Sequence, residues 1–232
     1  MNKKRCLFLV EGPTDRQRFS VLQNLFDKSN LVIIPFQTDV LTKKTYSSRY
    51  KTQIREALSK EKVYSFEDFD EIIQIVDTDG CFLSDGLIKV DHSVPNIKYL
   101  LDYIICPDIG PLLKQRENKR NNIAAILNNA EIKLYYVSTN AEHVFDGLQN
   151  ASDKQKKALA LKMYRNYFNN LGALIEKFKS IAPKVNTFDE SWSFIMKDKN
   201  SLLPYSNILF WLIDNVEYMK EEFKELLSDY IY

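Results

Sequence analysis

Four short runs of apolar residues stand out in the N-terminal part of the chain. Each run is nearly continuous rather than alternating, a pattern typical of strands that are buried on both faces of a parallel sheet. Polar and turn-forming residues separate the runs. The four predicted strands cover residues 6–10, 31–35, 71–76 and 134–137.

Apolar residues recur at helical spacing between these runs and after the last of them. Thr14 is the expected N-cap of the first helix, and Pro183 is the expected end of a long helical segment near the C-terminus. The predicted helical segments cover residues 14–28, 45–61, 114–129, 153–182 and 206–232.

This order of elements predicts an α/β fold, with a mainly parallel sheet that is flanked by helices and joined by right-handed crossovers. After about residue 150 the pattern is helical throughout. We therefore expect an α/β domain over residues 1–150 and a helical C-terminal part over residues 151–232. No repeat or low-complexity linker separates the two, so we expect them to pack in the same globule.

Carboxylates directly follow two of the predicted strands. Glu11 follows the first strand in the segment VEGPTD, and Asp77 and Asp79 follow the third in the segment VDTDG. Ligands of open parallel sheets collect at the carboxyl ends of the strands. If these strands are neighbours, three carboxylates converge and repel one another unless a cation lies among them. Because their hard oxygen ligands favour Mg²⁺ or Mn²⁺, the pattern predicts a metal-dependent enzyme that acts on a phosphate ester.

The same residues also have a purely structural explanation. Asp forms Asx turns and Gly adopts positive φ, so both motifs are common where a strand turns. The two motifs in this order, each after a strand, favour the functional interpretation over the structural one. Asp15 either supports the site or complements the dipole of the helix that begins beside it.

The two motifs together resemble the Toprim domain, which is shared by type IA topoisomerases, bacterial primases, RecR, small ribosomal-RNA maturases and OLD-type nucleases. That domain has a Glu after its first strand and an Asp-X-Asp after a later strand, and these residues bind Mg²⁺. The resemblance covers roughly residues 5–150. It implies a Toprim-like catalytic domain in which Glu11, Asp77 and Asp79 are both metal ligands and catalytic residues.

A third segment, YVSTNAEHVF at residues 136–145, is similar to a segment of small Toprim nucleases in bacterial antiphage and abortive-infection systems, OLD-type and PARIS-effector-like. The resemblance implies a catalytic role for Glu142, through a second metal or through substrate positioning. His143 is better explained as an ordinary core or surface histidine. Cys81 stands where many Toprim proteins have an acidic or small residue, which leaves the coordination of a second metal open.

Composition narrows the class of protein. A net charge of +1 argues against a strongly basic protein that wraps nucleic acid, although a local basic stripe can still bind it. Three cysteines without a CxxC pair, and only two histidines, argue against a disulfide scaffold and a Cys/His zinc site. We expect a cytoplasmic protein that does not enter the membrane, because no apolar run has the length of a signal peptide core or a membrane span.

Three groups of basic residues are candidates for contacts with a nucleic-acid backbone. Each such group is more often simply a solvated helix face. Tyr46, Tyr50, Tyr164 and Tyr167 interleave with two of the groups, as stacking surfaces or as core residues. The groups are Lys43, Lys44, Arg49, Lys51 and Arg55; Lys114, Arg116, Lys119 and Arg120; and Lys154, Lys156, Lys157, Lys162 and Arg165.

The leading hypothesis is a small Toprim-type nuclease that cleaves DNA or RNA, tRNA included, in antiphage defence. A protein partner from a defence system and self-association are left open. Nucleotidyl transfer and strand passage need additional domains that 232 residues do not accommodate. The remaining alternative is a non-catalytic, RecR-like module that binds nucleic acid or protein. The complete carboxylate set favours catalysis, since a binding module gains nothing from clustered carboxylates.

Overall fold

The computed structural model describes residues 3–38, 50–61, 64–128 and 131–230. These residues contain two sheets, one large and one small. The strands are β1 (Lys4–Val10), β2 (Leu31–Gln37), β3 (Glu71–Asp77), β4 (Ile88–Val90), β5 (Lys98–Tyr99), β6 (Ile104–Cys106) and β7 (Lys133–Val137).

The large sheet is parallel throughout and has the order β2-β1-β3-β7. All four of its strands are the ones that the apolar runs predict. In the β1–β3 pair, Cys6 lies opposite Glu71 and Leu9 lies opposite Gln74, so the two strands end side by side. The predicted α/β fold with a parallel sheet and flanking helices is confirmed.

Nine α-helices accompany the strands in the described residues. They are α1 (Pro13–Phe19), α2 (Tyr50–Glu61), α3 (Ile109–Leu127), α4 (Ala141–Asp146), α5 (Asp153–Phe168), α6 (Leu171–Ile181), α7 (Phe188–Ile195), α8 (Ile208–Asp214) and α9 (Glu221–Lys224). None of these helices combines the length and the apolar character needed to cross a bilayer.

The first predicted helix, 14–28, is shorter than expected. Helix α1 ends at Phe19 and a 3₁₀ helix continues over Ser20–Leu25. The N-cap is Gly12 rather than Thr14, because Pro13 occupies the first helical position, which suits a residue without an N–H group. Of the predicted helix 45–61, residues 45–49 lie outside the described part, and α2 covers the rest.

The predicted helix 153–182 is two helices, because Asn170 begins a new one. Its side-chain oxygen accepts a hydrogen bond from the N–H of Ala173 at 3.1 Å, which is N-cap geometry. The predicted helical segment 206–232 consists of α8 and α9 with 3₁₀ helices over Val216–Tyr218 and Glu225–Tyr230.

The helical C-terminal part packs on both faces of the large sheet. On one face, the ring of Trp211 lies 4.6 Å from that of Phe8, edge to face. On the other face, Trp192 lies 5.0 Å from Tyr136. Because successive strand residues point to opposite faces, the apolar runs bury both sides, and residues from both parts of the chain share these cores.

The small sheet lies between β3 and β7 in the sequence and has the order β4-β6-β5. Strand β6 pairs in parallel with β4 and antiparallel with β5. Ile104 and Leu202 belong to its apolar cluster and pack against the turn that follows β3. The small sheet therefore supports the turn that carries Asp79.

Candidate functional site

Neighbouring strands bring the predicted carboxylates to one edge of the large sheet. Glu11 follows the last residue of β1, and Asp77 is the last residue of β3. Because β1 and β3 pair in parallel, their carboxyl ends lie at the same edge. Glu11, Asp15 and Asp77 line one cleft of about 400 Å³ at this edge.

A left-handed turn fixes the position of Asp79. Asp79 has φ 48° and Gly80 has φ 59°, both in the region that is costly for most residues. A Cβ at Gly80 would lie 2.9 Å from side-chain carbons of Ile104 and Leu202. The N–H of Asp79 donates to the carbonyl oxygen of Thr139, just after β7, at 3.0 Å. A side chain at position 80 would therefore strain the backbone and require Ile104 and Leu202 to move, and the hydrogen bond to Thr139 anchors Asp79.

Lys119 lies at the centre of the carboxylates and is almost fully buried. Its Nζ donates to the carbonyl oxygen of Asp77 at 2.7 Å and to Glu11 Oε1 at 3.4 Å, and it contacts Asp79 Oδ2 directly. Burial alone would lower the pKa of Lys119, but the charges of Asp79 and Glu11 outweigh it and hold the pKa well above its ordinary value. Lys119 is therefore a charged ammonium group inside the site.

A pattern in the sequence indicates that Lys119 is buried, although its charge alone suggests a surface residue. Helix α3 buries one stripe of residues at helical spacing, made up of Leu112, Arg116, Lys119, Asn122, Ile123 and Ile126. Two basic residues and one amide thus interrupt a stripe whose other members are apolar. Because a buried cation needs a partner, such an interruption indicates an ion pair beneath the helix rather than a solvated surface.

The other basic residues of α3 hold the turn region. Arg116 Nη1 pairs with Asp85 at 2.6 Å, and Arg116 Nη2 donates to the carbonyl oxygen of Leu83. Arg120 Nη1 donates to the carbonyl oxygen of Cys81 at 2.8 Å. Burial raises the pKa of the Cys81 thiol to about 12, so this residue is a neutral thiol.

Burial disfavours the ionised forms of Asp77 and Asp15, and the charges of neighbouring carboxylates add to this effect. Burial, together with the charges of Asp15, Glu11 and Asp79, raises the pKa of Asp77 well above its ordinary value, and Lys119 opposes this rise. Burial and the charge of Glu142 raise the pKa of Asp15 to about 6. The N–H of Gly12 donates to Asp15 Oδ2 at 3.1 Å.

Glu142 is present near the site but lies in a buried ion pair. Its Oε1 accepts from Arg18 Nη2 at 3.2 Å, and Arg18 Nη1 pairs with Asp146 at 2.8 Å. Arg18 is fully buried and links α1 to α4. The Glu142 carboxylate therefore affects the cleft through the effect of its charge on the pKa of Asp15. Its catalytic role stays a prediction.

His143 is buried next to Glu142, as expected for a core histidine. Its backbone N–H donates to the side chain of Asn140, the N-cap of α4, at 2.9 Å. Burial lowers the pKa of the ring, which favours the neutral form. The ring Nδ1 is buried and makes no hydrogen bond among the described residues, so the ring is not the fully satisfied core histidine that we expect.

The rim of the cleft is basic. Lys156 and Lys157 line it together with Asp153, all from the first turns of α5. These two lysines belong to the third predicted basic group. The arrangement places cations above the carboxylates, where the phosphate groups of a polyanion would lie.

The other basic groups have different surroundings. Lys51 pairs with Glu131, and Arg55 pairs with Glu67 at 3.0 Å. Lys43, Lys44, Arg49 and Tyr46 lie outside the described residues. Tyr50, Tyr164 and Tyr167 pack against the hydrophobic cores.

The donor set suits a hard divalent cation. Carboxylate oxygens are the ligands that Mg²⁺ and Mn²⁺ prefer. Burial and, after it, repulsion between carboxylates raise the pKa of Asp77, and such a cation would relieve the repulsion. Among the described residues, no three His, Cys, Asp or Glu side chains converge as a ready-made metal site. A divalent ion shared by Glu11, Asp77 and Asp79 therefore stays a prediction.

Comparison with known proteins identifies no relative of this chain. A scan of protein-family models, a search of curated proteins and a search of solved structures each returned no match to this chain. The resemblance to the Toprim domain thus rests on the three sequence segments, and the assignment of a function rests on the site.

Proposed function

We propose that this protein is a metal-dependent phosphodiesterase that cleaves DNA or RNA at the carboxyl edge of its parallel sheet. The carrying observation is the raised pKa of Asp77, which burial and the charges of Asp15, Glu11 and Asp79 produce together. A self-repelling cluster of carboxylates lowers stability, and perturbed carboxylates in a cleft are typical of functional sites.

Each residue has a distinct role in this proposal. Glu11, Asp77 and Asp79 hold a Mg²⁺ or Mn²⁺ ion, which when bound activates water and neutralises charge on the phosphate. Lys119 orients Glu11 and Asp79 through its contacts with both carboxylates. Asp15, with a pKa of about 6, is suited to accept a proton from the attacking water at neutral pH.

Residues at the rim of the cleft bind the substrate. Lys156 and Lys157 lie where they can pair with phosphate groups on either side of the scissile bond. Their small number fits the near-neutral net charge of +1, since a short backbone contact needs few cations. The resemblance to small Toprim nucleases supports a role in antiphage defence in the cytoplasm.

A specific observation favours a second candidate, the non-catalytic binding module. Lys119 already supplies positive charge to the carboxylate cluster, as it would in a purely structural ion-pair network. In that case the carboxylates would fix the turn after β3, and the lysines of the rim would bind a partner without any chemistry.

Incubation with single-stranded DNA, duplex DNA, total RNA and tRNA separates the two candidates. We expect one substrate class to be cleaved with Mg²⁺ or Mn²⁺ and not with a chelator. Asp77→Asn is the matched control, because the amide keeps the shape of the side chain and removes its charge. Binding of nucleic acid without metal-dependent cleavage in any preparation would favour the binding module.

A further inference from the structure

A second cleft adjoins the acidic one and shares a wall with it. This cleft has a volume of about 370 Å³, and Lys156 lines both clefts. Its other walls come from β5 and the residue before it, through Tyr99 and Ile97, and from the segment after α4, through Gln149 and Asn150. The volume lies within the range of small-molecule sites, about 300–1,000 Å³.

Hydrogen bonds hold the walls of this second cleft in place. Asn150 pairs with the backbone of Tyr99 twice, accepting from its N–H and donating to its carbonyl oxygen, both at 2.9 Å. Asn140, which also lines the cleft, donates from Nδ2 to the carbonyl oxygen of Gln149 at 3.0 Å. These bonds fix the backbone of Tyr99 against the segment that carries Gln149 and Asn150.

One polar group of the cleft lacks a partner among the described residues. The Nε2 of Gln149 is buried and makes no hydrogen bond. Leaving a buried N–H group unsatisfied is unfavourable, so a turn of this amide towards an acceptor in the cleft would be favourable. Gln149 is therefore a donor that a ligand with acceptor atoms on its edge would satisfy.

The second cleft is tied to the carboxylates through two routes. Asn140 follows Thr139, whose carbonyl oxygen accepts from the N–H of Asp79. Tyr99, which lines the cleft, packs against the apolar cluster that contains Ile104 and Leu202, and these two residues pack against the turn of Asp79 and Gly80. The wall of the second cleft is therefore joined to the turn that carries Asp79.

We propose that this second cleft binds one unpaired nucleobase of the nucleic-acid substrate, beside the phosphate that is cleaved. The inference rests on the proposed function and adds to it a site for the base. A base has flat apolar faces, which suit Tyr99 and Ile97, and a polar edge, which suits the amide of Gln149. Lys156, between the clefts, contacts the phosphate that joins the base to the scissile bond.

This placement defines the class of substrate. A base that is paired in a duplex cannot enter a cleft of this kind without leaving its stack. We therefore expect single strands, loops and frayed ends to be cleaved in preference to duplexes. Stacking on an aromatic ring tolerates any base, so we expect little sequence specificity.

Calorimetric titration with a nucleoside 5′-monophosphate and with ribose 5-phosphate isolates the contribution of the base. We expect adenosine 5′-monophosphate to bind the wild type about tenfold more tightly than ribose 5-phosphate, the effect of one stacked base. Gln149→Leu and Tyr99→Leu should each reduce that preference severalfold. Lys156→Ala should weaken both ligands alike, because it removes a phosphate contact only.

Gln115→Leu is the matched control, because Gln115 is an exposed amide on α3 outside both clefts. The ratio of the two affinities in the wild type needs no variant, so misfolding of one cannot obscure the result. Equal binding of the two ligands, or an unchanged ratio in both cleft variants, overturns the inference.

A cleavage assay on the same preparation separates this failure from failure of the proposed function. If the wild type cuts nucleic acid while the base adds nothing to binding, the base site alone is wrong. If neither ligand binds and no nucleic acid is cut, the proposed function and the base site fail together.

Discussion

The ammonium group of Lys119 is buried against the carboxylate of Asp79, two residues beyond the end of β3. The same Nζ lies 3.4 Å from Glu11 Oε1, so it bridges the ends of two neighbouring strands. The protein therefore brings its own cation to the carboxylates, and a divalent ion would enter a cluster that is already partly neutralised.

Replacing Lys119 should make the metal-free protein markedly less stable. Lys119→Met keeps much of the side-chain volume and leaves the carboxylates without their internal cation. Breaking a buried ion pair in this way costs about 3–5 kcal/mol, which urea unfolding would measure. Mn²⁺ should then restore more stability to the variant than it adds to the wild type, because it replaces the missing charge.

Lys114→Met is the control for this prediction, since Lys114 is an exposed lysine on the same helix. It should change the free energy of unfolding by less than about 0.5 kcal/mol. Equal stability of Lys119→Met and Lys114→Met would show that the contacts of Lys119 do not stabilise the site.

Asp15 should make stability depend on pH. With a pKa of about 6 in the folded state, above the ordinary value of about 3.9, the folded protein binds more protons than the unfolded chain between these values. Ionisation of Asp15 therefore lowers stability as the pH rises from about 4 to about 6, and the loss persists above that range. Asp15→Asn, which keeps an acceptor for the Gly12 N–H, should be more stable than wild type at neutral pH by about 1–2 kcal/mol.

Urea unfolding at several pH values checks the sign of this effect. The gain from Asp15→Asn should shrink as the pH falls and approach zero below about pH 3, where the wild-type carboxyl is protonated in both states. A gain that does not change with pH would mean that the ionisation of Asp15 is not its source.

The ion pairs of Arg18 explain how Glu142 influences the site. Glu142→Gln removes one of the charges that raise the pKa of Asp15, so that pKa should fall towards the ordinary value. Arg18→Met leaves both Glu142 and Asp146 without their partner and should cost about 3–5 kcal/mol. Carbon-detected NMR titration of the Asp15 carboxyl measures the first effect, and urea unfolding measures the second.

An unchanged pKa of Asp15 in Glu142→Gln would contradict this account. Loss of cleavage in Glu142→Gln with the stability and the Asp15 pKa both intact would instead support the catalytic role that the sequence resemblance implies.

Two glycines allow the steric requirement of the turn after β3 to be measured. Gly80 and Gly147 both have positive φ, 59° and 75°, but a Cβ would clash only at Gly80. Gly147→Ala should cost about 1–2 kcal/mol for the backbone conformation alone. Gly80→Ala should cost about 1–3 kcal/mol more, because Ile104 and Leu202 must move. Equal costs in thermal unfolding would mean that the turn adjusts freely.

The strands of the large sheet could be predicted because a strand that is buried on both faces is a continuous run of apolar residues. Runs such as Leu7–Val10 are apolar without interruption, and the carboxylates that end them are explicit in the sequence. The small sheet could not be predicted, since strands as short as Lys98–Tyr99 are too brief to show a period.

Charge usually indicates solvent exposure, so the sequence alone favours a solvated helix face for the basic group that contains Lys119. The position of Lys119 on the buried stripe of α3, between Leu112 and Ile123, indicates burial instead. No pattern in the sequence indicates that α1 ends at Phe19, because Val21, Leu22 and Leu25 are buried in a 3₁₀ helix as they would be in an α-helix. Burial could be predicted there, but the helix type could not.

The most direct test of the proposed function is a metal titration of wild type and Asp77→Asn, followed by thermal unfolding and by nucleic-acid cleavage on the same samples. Without metal, Asp77→Asn should melt at a higher temperature than wild type, because it removes a carboxylate whose pKa is raised by its neighbours. Added Mg²⁺ or Mn²⁺ should stabilise the wild type by about 2.7 kcal/mol at a hundredfold excess over the dissociation constant, and the variant much less. We expect cleavage by the wild type alone. Equal cleavage by both proteins, with equal responses to metal, would contradict the proposed metal-dependent nuclease function.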